Sequence, residues 1–381
     1  MLKILTIIGA RPQIIKAAAL SRAIRNEYSG SIREIILHTG QHYDRNMSQV
    51  FIDEMEIPRP DYNLEVGSGT HGVQTGRMIM GIEEVLLKEN PDYLVLFGDT
   101  NSTLAGAVAG SKLHIPVVHI EAGLRSFNKN MPEEINRIVC DHASTLLFSP
   151  TMTGFHNLVR EGFNPTAKPP YNIDNPGIYH CGDIMFDNSL YFADLAGRKS
   201  QILDQMGLKG DSFILSTIHR DNNTDEPGRL EAIIRGIIAV AEIFSGRIVL
   251  PLHPRTAKIL KERSGQEPYN KFLNHEKILI TDPVSFLDII LLEKNAELIM
   301  TDSGGVQKEA YFFEKPCIIL RSETEWKEIV EAGAGIVTDA SEERILEAYK
   351  TLTAKNNIEY PRVFGDGHAA GFICKAMLSN K

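Results

Sequence analysis

The sequence of 381 residues predicts an α/β protein of two domains, each a doubly wound parallel sheet, facing each other across a cleft. Three observations carry this expectation. The length exceeds a typical domain of about 100–200 residues and suffices for two cores. Short apolar runs recur along the chain, each followed by a segment with helical periodicity. The runs are continuously apolar instead of alternating, as strands are when helices cover both sheet faces. Right-handed βαβ crossovers, and so two Rossmann-like domains, follow from that alternation.

In the first half, ILTIIG (4–9) precedes PQIIKAAALSRAIRN, and REIILHTG precedes a segment rich in Met and Phe. YLVLFG (93–98) leads into the small-residue helix LAGAVAGSKL, and PVVHIEAG (116–123) into PEEINRIVCDHAS. LLFSP (146–150) then opens TMTGFHNLVREG. The stretch NPTAKPPYNIDNPG (164–177) interrupts the pattern, either as an interdomain linker or as an elaborated loop. In the second half SFILSTIHR, RIVLPLHP, KILITDP, AELIMTDSGG, PCIILRS and AGIVTD are the expected strands. The expected domains are residues 1–184 and 185–360, with a helical tail, 361–381, packing back on the first domain.

Composition narrows the functional classes. Lys+Arg 40 against Asp+Glu 49 gives a net charge of −9, which argues against a general binder of nucleic acid or anionic membrane. Cys140, Cys181, Cys317 and Cys374 lie far apart without a C-x-x-C pair, so neither a disulfide framework nor a structural zinc site is expected, and a reducing, cytoplasmic setting fits. The apolar start of the chain is followed at once by Arg11 and Lys16 and reads as a buried strand, not a signal peptide. The most apolar stretch, IIRGIIAVAEIF, carries Arg235 and Glu242 and is too short to span a bilayer.

Ligands of open α/β sheets bind beyond the carboxyl ends of the strands, where this sequence concentrates its polar residues. Arg11 and Lys16 follow the first strand and suit an anion at a helix N-terminus; solvated strand-end charges are the plain alternative. In TDSGGVQKEA (301–310), Ser303, Gly304 and Gly305 open a helix whose exposed N–H groups and dipole favour a diphosphate, with Glu309 placed to accept from ribose hydroxyls; an ordinary Ser N-cap with a tight turn is the alternative. There is neither G-x-G-x-x-G after the first strand nor G-x-x-x-x-G-K-[ST], which disfavours dinucleotides and P-loop chemistry.

Asp99, Glu121 and Glu133 occupy comparable strand-end or helix-start positions. Two have a named structural alternative: an N-cap for Asp99, and for Glu133 a surface ion pair with Arg137 four residues on. Their convergence on one cleft would separate their pKa values, as general acid/base chemistry requires. His219 and His253 end strands of the second domain, and no histidine spacing supports a metal centre.

With those residues in view, the chain resembles the UDP-N-acetylglucosamine 2-epimerase family. The resemblance runs through GARPQIIK, VLFGDTNSTLAG, HIEAGLRS, PEEINR, STIHR, PLHP, TDSGGVQKEA and FGDGHA, nearly the whole chain in order. It implies the GT-B-like architecture shared with many glycosyltransferases, a UDP-linked 2-acetamido sugar as substrate, no nicotinamide or other cofactor, and a homodimer. It implies that His219, His253, Ser303, Gly304 and Glu309 hold UDP, with Arg11 reaching the diphosphate; Lys16, Arg137, Gly305 and Arg321 are the further residues expected on the substrate. Asp99, Glu121, Glu133 and His219 match the family's candidates for the chemical step, anti elimination of UDP to a 2-acetamidoglucal followed by re-addition. Gln41 and His42 match part of a site that binds a second substrate molecule as activator in bacterial members. The chain departs from the family at Ala10-Arg11-Pro12-Gln13, where many members read T-R-P-E, and at Thr324-Glu325-Trp326-Lys327-Glu328, where T-E-R-P-E is common. ARPQ, TGQHYD and the SFN stretch before PEEINR resemble the branch acting on UDP-2,3-diacetamido-2,3-dideoxyglucuronate. Besides that substrate, the remaining alternatives are a hydrolysing 2-epimerase and a retaining glycosyltransferase.

Overall fold

The computed structural model describes residues 1–40, 59–252, 254–263, 265–355 and 357–380. The chain divides into two compact units, Met1–Asn188 with Arg362–Lys381, and Ser189–Pro361.

The first unit is built on a seven-stranded sheet of order β3-β2-β1-β4-β5-β6-β7. Its strands are β1 (Leu2–Ile8), β2 (Ile32–His38), β3 (Tyr62–Asn63), β4 (Tyr93–Phe97), β5 (Val117–Ile120), β6 (Leu146–Ser149) and β7 (Gly177–His180). Neighbouring strands pair in parallel throughout. The residues of β4 and β5 are all buried, as the unbroken apolar runs required, because helices cover both faces. Leu94, Leu96, Val117 and Met78 belong to the main core of this unit. Each such side chain, removed from water, contributes about 1.5–3 kcal/mol before the entropy cost of ordering it.

The proline-rich stretch 164–177 is a loop of this unit leading into β7, so the linker alternative falls. Strands β3 and β7, of two and four residues, have no counterpart among the apolar runs of the sequence. The expected first helix is α-helical over Arg11–Ala23 and continues as a π-turn over Ile24–Tyr28. The C-terminal helix, Ala369–Ser379, belongs to the first unit and packs against helix Arg11–Ala23. Its start is fixed by Asp187, whose carboxylate accepts from the N–H groups of Ala369 (3.0 Å) and Ala370 (2.8 Å).

The second unit has a six-stranded sheet of order β10-β9-β8-β11-β12-β13. The strands are β8 (Phe213–Thr217), β9 (Arg247–Pro251), β10 (Ile278–Thr281), β11 (Leu298–Thr301), β12 (Cys317–Ile319) and β13 (Gly335–Val337), again paired in parallel. Both sheets therefore wind outward from a central pair, β1 with β4 and β8 with β11. Such a reversal of strand order opens a crevice at the carboxyl ends, and the sequence places Arg11, Asp99, His219 and Ser303 there. Among the described residues, no helix is long and apolar enough to cross a membrane.

Candidate active site

In the first unit the polar residues after β1, β4 and β5 meet. Gly98 follows β4 with φ +62°, and a Cβ there would lie 3.1 Å from Glu121 Oε2 and 3.3 Å from Lys16 Nζ. A glycine is thus needed both for the turn and for the room it leaves. Lys16, one turn into helix Arg11–Ala23, forms a close ion pair with Glu121. Burial would lower the Lys16 pKa, but the carboxylate of Glu121 outweighs it and holds the ammonium above its ordinary value. Glu121 itself sits at φ +78°, a conformation costly for a residue with a side chain, and such strain concentrates at functional sites.

Asp99 Oδ2 pairs with Arg137 Nη2 at 2.6 Å, and its backbone carbonyl accepts from Asn136 Nδ2 at 2.8 Å. Arg137 reaches Asp99 from helix Pro132–His142 and also holds Glu134 at 2.8 Å. The structural alternative of a Glu133–Arg137 surface pair is not realised: the partner of Arg137 on its own helix is Glu134, buried to 2% exposure, whereas Glu133 is exposed. Helix phase explains this, since Glu134 turns inward and its carboxylate accepts from the N–H groups of Ser126 (2.8 Å) and Phe127 (2.9 Å). These bonds and Arg137 hold the Glu134 carboxyl below its ordinary pKa against the opposing effect of burial. Arg11 is exposed at the first position of its helix.

Gln13, which in the sequence stands out only as a departure from the family pattern, ties the start of its helix to the end of β4. It is buried to 1% exposure, and its Nε2 donates to the Phe97 carbonyl (2.9 Å) and to Thr103 Oγ1 (3.0 Å), while its Oε1 accepts from Ala10 N–H (3.2 Å). An ionised glutamate could not donate to the Phe97 carbonyl, so the amide suits this environment.

In the second unit Asp302, fully buried after β11, is the central acceptor. It takes the backbone N–H groups of His219 (3.1 Å) and Arg220 (3.0 Å) and the Asn223 amide (3.1 Å), and lies 3.2 Å from His219 Nδ1. Burial raises the pKa of this carboxyl, but its donors overcome that and hold it low. The carboxylate thereby orients the half-exposed His219 ring, a carboxylate–histidine arrangement suited to general acid/base or anion-binding work.

Ser303 caps helix Gly304–Phe312, its hydroxyl oxygen accepting from Val306 N–H at 3.5 Å. The N-cap alternative is thus realised, and the hydroxyl proton remains available to an anion. Trp326 donates from Nε1 to the Gly304 carbonyl (3.0 Å), with Lys308 Nζ 4.3 Å from its ring centre. Arg321 holds Glu325 through two bonds of 2.8 and 2.9 Å beside the same glycine turn. Glu309 carries a carboxyl that burial pushes up to about 7, and its charge helps to raise the carboxyl of the buried Glu293. A cavity of about 430 Å³ is lined by His219, Arg220, Asn223, Arg229 and Arg321. Gln41, His42 and His253 lie outside the described residues.

A family model described as UDP-N-acetylglucosamine 2-epimerase matches residues 24–378. The chain belongs to the UDP-N-acetylglucosamine 2-epimerase family. It is 46% identical to the UDP-2,3-diacetamido-2,3-dideoxy-D-glucuronate 2-epimerase of Pseudomonas aeruginosa, over 98% of this chain and 99% of that one. Identity to the UDP-N-acetylglucosamine 2-epimerase of Methanocaldococcus jannaschii is 43%, covering 100% of both. The crystal structure of the M. jannaschii epimerase in complex with UDP-GlcNAc and UDP matches with a TM-score of 0.79, covering 99% of this chain and 100% of that one. As an epimerase-family protein, the chain shares the two Rossmann-like units that the sequence predicted. Its epimerase signatures GDT, HxEAGLR, PEExNR and TDSGGxQxE all fall at strand ends or helix starts.

Proposed function

We propose that this protein is a non-hydrolysing 2-epimerase that interconverts UDP-GlcNAc and UDP-ManNAc, with UDP-2,3-diacetamido-2,3-dideoxyglucuronate as the second candidate substrate. The observation that carries the reading is the pair of carboxylates at adjacent strand ends, Asp99 held by Arg137 and Glu121 held by Lys16. One carboxylate removes the C2 proton as the C1–O bond breaks and UDP departs with the bonding electrons, leaving the 2-acetamidoglucal. UDP then re-adds through oxygen at C1 while a protonated group on the opposite face returns a proton to C2. Each turnover leaves one group protonated and the other deprotonated, and exchange with water resets them. Arg11, Ser303, Gly304, Gly305, Arg321, His219 and His253 are assigned to UDP and the charge it acquires, and Glu309 to the ribose. Glu133 joins the acid/base candidates. The identity to the Pseudomonas relative, with Gln13 and Trp326 at the positions where the family pattern changes, supports the diacetamido-uronate substrate.

Proton NMR in D2O tests both substrates. A UDP-linked 2-epimer carrying deuterium at C2 is the expected product; free 2-epimer with UDP would make the enzyme hydrolysing, and transfer to an added acceptor would make it a glycosyltransferase. Replacing Ser303 by Ala is expected to raise the UDP dissociation constant about tenfold or more, from a lost charge-assisted bond and helix cap. Calorimetric titration reads this directly, and unchanged affinity would remove Ser303 from the nucleotide site.

The reading places the enzyme in the cytoplasm, making sugars for polysaccharide, without a cofactor and as a homodimer. Helix His71–Glu89 supports the dimer: Val73, Met80 and Leu87, at heptad spacing, are 50%, 66% and 66% exposed. Arg77 and Glu84 alternate with them on the exposed stripe, so a two-fold axis near Met80 would set Arg77 of one copy against Glu84 of the other. Met80→Glu is accordingly expected to convert a dimer to monomers in light-scattering chromatography, and an unaltered dimer would clear this helix of the role.

A further inference from the structure

His119 lies in β5, one residue from the turn that carries Glu121, and is completely buried. Its Nε2 is 2.8 Å from the Gly98 carbonyl oxygen and its Nδ1 2.6 Å from Asp141 Oδ1. A carbonyl can only accept. The Asp141 carboxylate is committed as an acceptor too, since it takes Gly123 N–H at 3.1 Å and Arg125 Nη2 at 2.7 Å. With the Arg125 charge keeping that carboxylate ionised, its Oδ1 accepts as well, so both ring nitrogens carry hydrogen and the ring is an imidazolium. Burial opposes this charge; Cys140 and Asp141 outweigh it and hold the ring well above histidine's usual range, while Asp141 is held below its own. Arg125, in turn, is clamped by Glu161 through bonds of 2.7 and 2.6 Å.

The two ends of this chain of bonds are the two turns that bear the candidate carboxylates. Gly98 is gripped on both sides, its N–H by the Ile120 carbonyl at 3.0 Å and its C=O by His119, and Asp99 follows directly. Gly123, held by Asp141, ends the turn that contains the strained Glu121. Because glycine lacks a Cβ, little besides the bond to its carbonyl restrains the peptide that follows it. Loss of the His119 bond would free the Gly98–Asp99 peptide and shift Asp99 relative to the Lys16–Glu121 pair that Gly98 touches.

We infer that His119 is a positioning residue for the epimerisation: a permanently charged buried imidazolium that, with Asp141, locks the Asp99 turn to the Glu121 turn. This rests on the proposed function for its catalytic consequence, although not for its chemistry. Two measurements test it separately. In wild-type protein with 15N-labelled histidine, His119, identified by its loss in His119→Gln, is expected to show two slowly exchanging N–H protons and no titration from pH 6 to 9. A single N–H, or titration in that range, would overturn the charged state. In steady-state assays His119→Gln and Asp141→Asn are expected to lower kcat about 100-fold or more while UDP affinity stays within twofold. A folded His119→Gln enzyme with wild-type kcat would overturn the positioning role. If wild-type protein turns over neither nucleotide sugar, the functional reading fails by itself. The positioning is then read from the Gly98 and Asp99 amide resonances: displacement in His119→Gln supports it and unchanged shifts refute it.

Discussion

Asp99→Asn is expected to lower turnover by about 1,000-fold while leaving UDP binding within a factor of two. The substitution keeps size and an acceptor for Arg137, but removes the group's capacity to take or give a proton. General acid/base groups contribute about 10²–10⁴-fold to rate, so the loss corresponds to roughly 4 kcal/mol of transition-state stabilisation. Nucleotide affinity is spared because the residues assigned to UDP lie mainly in the second unit, around β8 and β11. Glu121→Gln is a less discriminating test. Lys16 would lose the carboxylate that sustains its buried charge, and a structural cost would accompany the chemical one. Initial rates and calorimetric titration of UDP check the Asp99 expectation together. Near-normal turnover would exclude it from proton transfer, and a parallel loss of UDP binding would make it a binding group.

Much of this site is legible in the sequence because its chemistry is local. A strand that ends in GDT or TDSGG announces both where the polar residues stand and that the backbone there must turn sharply. The partners are not local. Asp99 meets Arg137 across 38 residues and Lys16 meets Glu121 across 105, and only the order of strands in the sheet brings them together. The choice between Glu133 and Glu134 shows a second limit, because neighbouring glutamates at a helix start differ only in helix phase. That phase is set by packing: Glu134 turns in to cap two loop N–H groups and Glu133 stays outside. His119 was hidden for a third reason. It sits inside an apolar strand run, where a histidine reads as filler until its two acceptors are seen. The short strands β3 and β7 carry too few residues to show any period.

The other large effect lies at Asp302. Asp302→Asn is expected to lower the unfolding temperature of the protein by roughly 10 °C at pH 7. The carboxylate is completely buried and accepts from two backbone N–H groups, the Asn223 amide and the His219 ring. An asparagine there turns one acceptor into a donor facing donors and deletes the charge opposite His219. Breaking a buried, charge-assisted arrangement of this kind costs about 3–5 kcal/mol. For a unit of this size each kcal/mol moves the transition by about 2–4 °C. The pH dependence has a defined sign. Because the folded carboxyl is held below its ordinary 3.8, its stabilisation is complete above that value and is lost as pH falls through the folded pKa. The gap in melting temperature between wild type and Asp302→Asn should therefore hold level from neutrality down to about pH 4 and narrow below it. Thermal melts from pH 3 to 7 measure it, and equal melting temperatures at pH 7 would show that Asp302 does not hold this turn. Since the same carboxylate orients His219 and fixes the backbone at Arg220, the variant should also bind UDP more weakly below its melting transition. Weakened binding at full stability would make Asp302 a determinant of the nucleotide site alone.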